Sequence, residues 1–163
     1  MSDFFNRDMA AAYDERNSRL SPITDNLHFL TQLVLAGLPA DARILCVGVG
    51  TGAEILSLAH AFPDWSFVGV DPSLEMLDVC RRRLDRAGLS NRARLQHGYV
   101  QDLAPDLAFD GVVSLLVAHF VQREERPGFY RAIHDHLRPG GCYLSAEIST
   151  DLNDAAFPMA LED

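Results

Sequence analysis

The stretch that decides the fold is RILCVGVGTGA, residues 43–53. An apolar run from Arg43 to Val47 predicts a short buried strand; Gly48, Gly50 and Gly52 follow at alternate positions, and a helical pattern begins at Glu54. A strand that turns through glycines into a helix brings backbone N–H groups and the positive helix end to one point. The pattern predicts a binding loop for a nucleoside-containing small molecule, although three glycines are also compatible with a plain turn.

Strand-like and helix-like patterns alternate along the chain. The strand-like segments are continuous apolar runs, which is typical of a parallel sheet covered on both faces. The sequence predicts a doubly wound, Rossmann-like α/β fold with ligands at the carboxyl ends of the strands. We expect a single domain over 1–163, with 1–38 as a helical lid and 40–148 as the core. The expected strands are 43–47, 65–70, 92–97, 110–117 and 142–148, and the expected helices are 4–18, 21–37, 52–62, 73–87 and 124–137.

Composition limits the class of protein. The chain is 48% hydrophobic and 23% charged, as in ordinary globular domains. No apolar run approaches the ~20 residues that a membrane span needs. Cys46, Cys80 and Cys142 lack metal-ligand spacing and the start lacks an apolar signal core, so we expect a cytoplasmic protein without metal. A net charge of −9 argues against non-specific binding of nucleic acid.

An acidic residue follows the second predicted strand. Asp71 lies 19 residues after Gly52, and in a doubly wound sheet this places a carboxylate beside the glycine loop. There it can accept hydrogen bonds from ribose hydroxyls; the competing interpretation is a cap at the start of the following helix. At this point NAD, a flavin and S-adenosylmethionine all remain candidate ligands.

Four segments together carry a family resemblance. They are ILCVGVGTGAEILSLA (44–59), FVGVDPSLEML (67–77), FDGVVSLLVAHFV (109–121) and LRPGGCYLSAE (137–147). In this order and spacing they resemble the motif regions of the class I S-adenosylmethionine-dependent methyltransferases, over about residues 40–148. The resemblance implies S-adenosyl-L-methionine as the cofactor and methyl transfer to a small molecule or RNA as the activity.

The family's roles then carry over to matching positions. The glycine loop would pass the methionine part of the cofactor, Asp71 would hold the ribose, and the segment after the third strand would surround the adenine. The implied cofactor-binding residues are Gly48, Val49, Gly50, Gly52, Asp71, Pro72, Tyr99, Val100, Gln101 and Leu115.

A proton acceptor is needed only if the methyl acceptor arrives protonated. The candidates are His119, in VAHF after the fourth strand, and Tyr13, in a segment that resembles the amino-terminal helix closing over the cofactor. Glu147 and His28 are further candidates, with His28 expected at the surface. For His119 and Tyr13, a purely structural role is an equally good interpretation.

The sequence departs from the family pattern at three places, one of which is Tyr99, where the family often carries an acidic residue that contacts the adenine amine. Cys46 stands where the family usually carries an acid that helps orient the loop. Only 15 residues follow Ile148, where the family continues into a helix and an antiparallel strand pair. We therefore expect that pair to be missing and the chain to associate into a homo-oligomer through the exposed edge of its fifth strand.

Three alternative functions remain open. A carboxy-S-adenosylmethionine synthase would use the same cofactor for different chemistry. A non-catalytic binding protein or subunit would agree with the departure at Cys46. A nicotinamide oxidoreductase is the third, because Gly48, Gly50 and Ala53 also fit a dinucleotide-binding spacing.

Overall fold

A computed structural model describes residues 21–147. In this range the strands are β1 (Arg43–Val47), β2 (Ser66–Asp71), β3 (Ala93–His97), β4 (Phe109–Leu115) and β5 (Leu137–Ala146). The α-helices are α1 (Ser21–Leu35), α2 (Ala53–Ala61), α3 (Leu74–Arg86) and α4 (Arg126–Asp135), and short 3₁₀ turns occupy Val100–Asp102 and Ala118–Phe120. The predicted helix over 4–18, which carries Tyr13, lies outside the described residues.

The strands form one sheet in the order β3-β2-β1-β4-β5, with every neighbouring pair parallel. The strand order reverses between β1 and β4, which is the switch point where doubly wound sheets bind ligands. The predicted Rossmann-like fold is therefore confirmed. Within 21–147 β5 is an edge strand, and association through that edge stays a prediction.

Two apolar layers hold the sheet between its helices. Ile44 and Cys46 face a cluster that includes Leu35, Ile55 and Leu77, contributed by α1, α2 and α3. The alternate β1 residues, Leu45 and Val47, face a second cluster that α4 closes with Phe129 and Ile133. Because Ile44 to Val47 are buried on one face or the other of the sheet, this part of β1 has to be apolar, as its sequence predicts. No helix within 21–147 is long and apolar enough to cross a membrane.

The RPGG segment differs from its prediction. We expected a sharp turn followed by a strand from Cys142, but β5 already pairs with β4 at Leu137 and resumes at Cys142 after a register shift. The segment is thus a bulge inside the strand, with Gly140 at φ +81°. Arg138 Nη1 donates to both carboxylate oxygens of Asp110, at 2.6 and 2.7 Å, and this ion pair fixes the bulge at the end of the sheet opposite the glycine loop.

Candidate cofactor and catalytic site

The glycine loop after β1 requires glycine at each of its three positions. Gly48, Gly50 and Gly52 have φ angles of +66°, +50° and +82°, a region that other residues rarely adopt. Space adds a second constraint at two of them. A Cβ on Gly48 would lie 2.5 Å from Val117 Cγ2, and one on Gly52 would lie 2.5 Å from Cys80 Sγ. The loop therefore has a specific backbone conformation that depends on these glycines, which a plain turn would not require.

The hydrogen bonds of this loop correct one expectation. We expected bare N–H groups, but Gly48 and Val49 donate to the Val70 carbonyl, Gly52 donates to the Val49 carbonyl, and Gly50 donates to Asp71 Oδ2. Within 21–147 the carbonyl oxygens of Gly48 and Gly50 accept no hydrogen bond from a backbone N–H. A pyrophosphate needs N–H donors, whereas an ammonium group needs acceptors. The loop chemistry thus suits the amino end of a methionine better than a dinucleotide phosphate.

Asp71, at the end of β2, is held in place by backbone donors. Its Oδ2 accepts from Gly50 N at 2.8 Å and its Oδ1 from Ser73 N at 2.9 Å. Ser73 is the N-cap of α3, since its hydroxyl accepts from Met76 N, and this cap was predicted. Each carboxylate oxygen has a second lone pair, so Asp71 can still accept from a pair of hydroxyls. Burial raises the pKa of Asp71, and the two N–H bonds oppose that rise.

Glu54 was not predicted as part of this site. It lies in the first turn of α2 with 9% of its surface exposed, close enough to Asp71 and Arg83 for their charges to act on it. Burial raises the pKa of the Cys46 and Cys80 thiols, and the Glu54 carboxylate adds to that rise. Burial raises the pKa of Glu54 to about 8, and the nearby Asp71 carboxylate adds to the rise. In the sequence, the one sign that Glu54 belongs to the site is its position directly after Gly52 and Ala53. The acid missing at Cys46 is thus present nearby, on the next helix.

The loop after β3 presents only some of its predicted residues. Tyr99 is 47% exposed and Gln101 is exposed, so both can reach a ligand. Val100 is buried in the second apolar cluster, and Asp102 accepts a hydrogen bond from Tyr99 N at 2.7 Å. Pro72, partly exposed, lies across from this loop, and its carbonyl is 3.0 Å from His97 Nε2.

Val49 and Leu115, two further residues predicted to contact the cofactor, differ in their exposure. Val49 is only 1% exposed and packs in the core, so only its main chain is available to a ligand. Leu115 is partly exposed at the end of β4. The following residue, Leu116, has φ +60° and is 43% exposed. A strained, exposed residue at the carboxyl end of a strand is typical of a functional site.

His119 and Glu147 come together at the ends of β4 and β5. His119 Nδ1 lies 3.0 Å from Glu147 Oε2, although the two residues are 28 positions apart in sequence. His28, expected at the surface, is half-buried on α1, and burial lowers its pKa. Within 21–147 no three His, Cys, Asp or Glu side chains form a metal-binding group.

The Rossmann-like fold places the glycine loop and Asp71 at the carboxyl ends of the strands. Together they suit a ligand that carries both an adenosyl group and an amino acid. The methyltransferase-domain family matches residues 44–141, more than half of the chain. The chain therefore belongs to the class I S-adenosylmethionine-dependent methyltransferases, and S-adenosylmethionine is its cofactor. The nicotinamide alternative is set aside on this ground.

Similar proteins differ in their chemistry. Carboxy-S-adenosyl-L-methionine synthase of Campylobacter lari is 28% identical over 146 residues, covering 88% of this chain and 60% of that protein. Demethylmenaquinone methyltransferase of Symbiobacterium thermophilum is 37% identical over 113 residues, covering 68% and 44%. The solved DhpI-SAM-HEP complex shares the fold, with a TM-score of 0.68 at 19% identity over 96% of this chain and 67% of that one. The chain thus spans about half the length of these two curated relatives.

Proposed function

We propose that this protein transfers the methyl group of S-adenosylmethionine to a small molecule or RNA acceptor by in-line displacement. The observation that carries the proposal is the joint geometry of the glycine loop and Asp71. Gly50 N–H fixes the carboxylate that would hold the ribose, while the carbonyls of Gly48 and Gly50, which accept from no backbone N–H, would face the amino group. When bound, the cofactor supplies an activated methyl group on a sulfonium.

The chain's own residues supply position and environment. Asp71 orients the ribose end, Tyr99 offers a ring face for the adenine, and Leu115 lines the region of the methyl group. Holding donor and nucleophile in line provides much of the rate enhancement in such a displacement. His119 is the proposed proton acceptor, because it lies at the same edge of the sheet.

A small-molecule acceptor agrees best with the surface charge. The net charge of −9 and the absence of any lysine disfavour a phosphate backbone. In the Arg81, Arg82, Arg83 and Arg86 group, two of the four side chains bind other residues of the chain. Arg81 pairs with Asp78, and Arg83 donates to Thr51 beneath the glycine loop.

Thermal shift of the full chain tests the cofactor proposal. S-adenosylmethionine and S-adenosylhomocysteine should each stabilise the protein, by about 2.7 kcal/mol at a hundredfold excess over the dissociation constant. NAD at the same concentration serves as the control. Stabilisation by NAD alone would overturn the proposal, and the absence of any shift would favour a chain that does not bind this cofactor.

One competing activity is favoured by a specific observation. The similarity to the Campylobacter lari synthase extends over 88% of this chain, so carboxy-S-adenosylmethionine synthesis is the second candidate. Mass spectrometry of the nucleoside products separates the two reactions. Methyl transfer releases S-adenosylhomocysteine, whereas the synthase reaction yields a carboxylated cofactor. Tight binding without either product would indicate the non-catalytic alternative.

A further inference from the structure

The Glu147 carboxylate accepts an unusually complete set of hydrogen bonds from one short segment. Ala118 N donates to Oε1 at 3.0 Å, His119 N lies 3.2 Å from Oε2, and His119 Nδ1 lies 3.0 Å from the same oxygen. Ser145 Oγ adds a bond to Oε1 at 2.9 Å. The 3₁₀ turn Ala118–Phe120 is thereby fixed to the end of β5, and the imidazole orientation is fixed with it.

This arrangement assigns the protons of His119. An ionised carboxylate only accepts hydrogen bonds, so the nitrogen facing Glu147 has to be the protonated one. The lone pair then lies on Nε2. That nitrogen has no hydrogen-bond partner within 21–147. Because no unpaired side-chain nitrogen or oxygen of this range is fully buried, Nε2 retains some accessible surface, although only 8% of the His119 side chain is exposed.

The tautomer with a lone pair on an outward nitrogen is the one that a general base requires. Phe120 packs against the ring at 4.2 Å between centroids, which restricts the imidazole further. The backbone N–H and the Nδ1–H of His119 are both directed at Glu147, so Nε2 is the ring nitrogen left to accept a proton.

We infer that Glu147 is a positioning residue for His119, and that the methyl acceptor is a neutral O–H or N–H group that has to lose its proton. This inference rests on the proposed function. An acceptor with a free lone pair, such as a thioether or a tertiary amine, would need no such base.

The step balances without another reagent. The acceptor heteroatom forms a bond to the methyl carbon as the carbon–sulfur bond breaks, and the bonding pair stays on sulfur as a neutral thioether. The acceptor's proton moves to Nε2 of His119, whose positive charge the adjacent Glu147 carboxylate stabilises. The proton then leaves to solvent, which restores the starting tautomer.

Glu147 also caps a turn, so its test needs a readout that a purely structural role would not change. Long-range ¹H–¹⁵N spectra of the ring nitrogens report the tautomer directly. We expect Nδ1–H for His119 in the unaltered protein and a shift towards Nε2–H in Glu147→Gln, whose amide can present a donor to Nδ1. An Nε2–H ring in the unaltered protein, or the same tautomer in both, would overturn the inference.

Turnover gives the second readout. With radiolabelled S-adenosylmethionine, we compare phenol and aniline as protic probes with thioanisole and N,N-dimethylaniline as lone-pair probes. Methylation should be confined to the protic pair, and Glu147→Gln should lower kcat by at least ~10²-fold with KM for the cofactor unchanged. Turnover of the lone-pair probes alone would contradict the proposed acceptor class. If none of the four probes is methylated, the His119 tautomer measured by NMR decides whether the inference stands.

A matched control exists on α4. His134 lies 3.4 Å from Asp135, but both side chains are well exposed, so Asp135→Asn makes the same chemical change at a pair outside the site. That variant should leave the spectra of His119 and the turnover unchanged. Cofactor binding separates the two proposals: if the unaltered chain fails to bind S-adenosylmethionine, the proposed function fails. If Glu147→Gln binds the cofactor and retains both tautomer and rate, only the positioning role fails.

Discussion

The amide of Gly50 donates a hydrogen bond to Asp71 Oδ2 at 2.8 Å and thereby joins the glycine loop of β1 to the end of β2. The loop and the carboxylate that we propose for the ribose are therefore one unit, since moving either would break this bond. Ser73 N holds the other oxygen of Asp71 and ties the unit to the start of α3. Three elements thus meet at one buried carboxylate.

Replacing Asp71 by Asn should weaken S-adenosylmethionine binding tenfold to a hundredfold. Hydrogen bonds to a charged group are worth about 1.5–3 kcal/mol, and the amide keeps the shape while losing the charge. Isothermal titration calorimetry on the folded variant measures the effect. Asp78→Asn, at an exposed acid on α3, should leave affinity unchanged, and equal affinity in both variants would refute the ribose role.

Replacing Gly52 by Ala should destabilise the fold more than the same change at Gly88. Both glycines have positive φ, +82° and +71°. Alanine in this left-handed backbone conformation should therefore lower the free energy of unfolding of both variants by about 1–2 kcal/mol. Only Gly52 adds a clash, with Cys80 Sγ 2.5 Å from the new Cβ, whereas nothing lies within 4 Å of Gly88. Urea denaturation of the two variants isolates the clash as their difference, and equal losses would show that the loop has room.

Replacing Glu54 by Gln should stabilise the protein at alkaline pH. The folded state raises the pKa of Glu54 from its usual 4.5 to about 8, so between these values the folded chain retains a proton that the unfolded chain gives up. The stability that this carboxyl contributes is present below pH 4.5 and is lost as pH rises towards 8. Because each pKa unit corresponds to about 1.4 kcal/mol, the loss should amount to a few kcal/mol.

The measurement is the free energy of unfolding at pH 5 and pH 8 for both proteins. The decline between the two pH values should be smaller in Glu54→Gln, and the variant should be the more stable at pH 8. Glu124→Gln, at an exposed position, corrects for general charge effects. A parallel decline in Glu54→Gln and the unaltered chain would mean that Glu54 ionises normally in the folded state.

The sequence alone determined the features that are local along the chain. The apolar run of β1, the alternate glycines and the Ser73 cap each depend on neighbouring residues, and each was predicted at its observed place. Their order and spacing were enough to predict the parallel sheet, the family and the cofactor. The position of Asp71 beside the loop also followed, because the fold class fixes where β2 ends.

The tertiary structure decided which side chains meet and which polar groups already have hydrogen-bond partners inside the protein. Glu147 reaches His119 only because β5 pairs with β4, and no periodicity in the sequence encodes a contact across 28 residues. The same holds for Glu54 beneath the loop, for the burial of Val49 and Val100, and for the loop N–H groups already used inside the protein. Side-chain pattern reports which face of a strand is apolar, but the partner of each polar atom depends on how the elements pack in three dimensions.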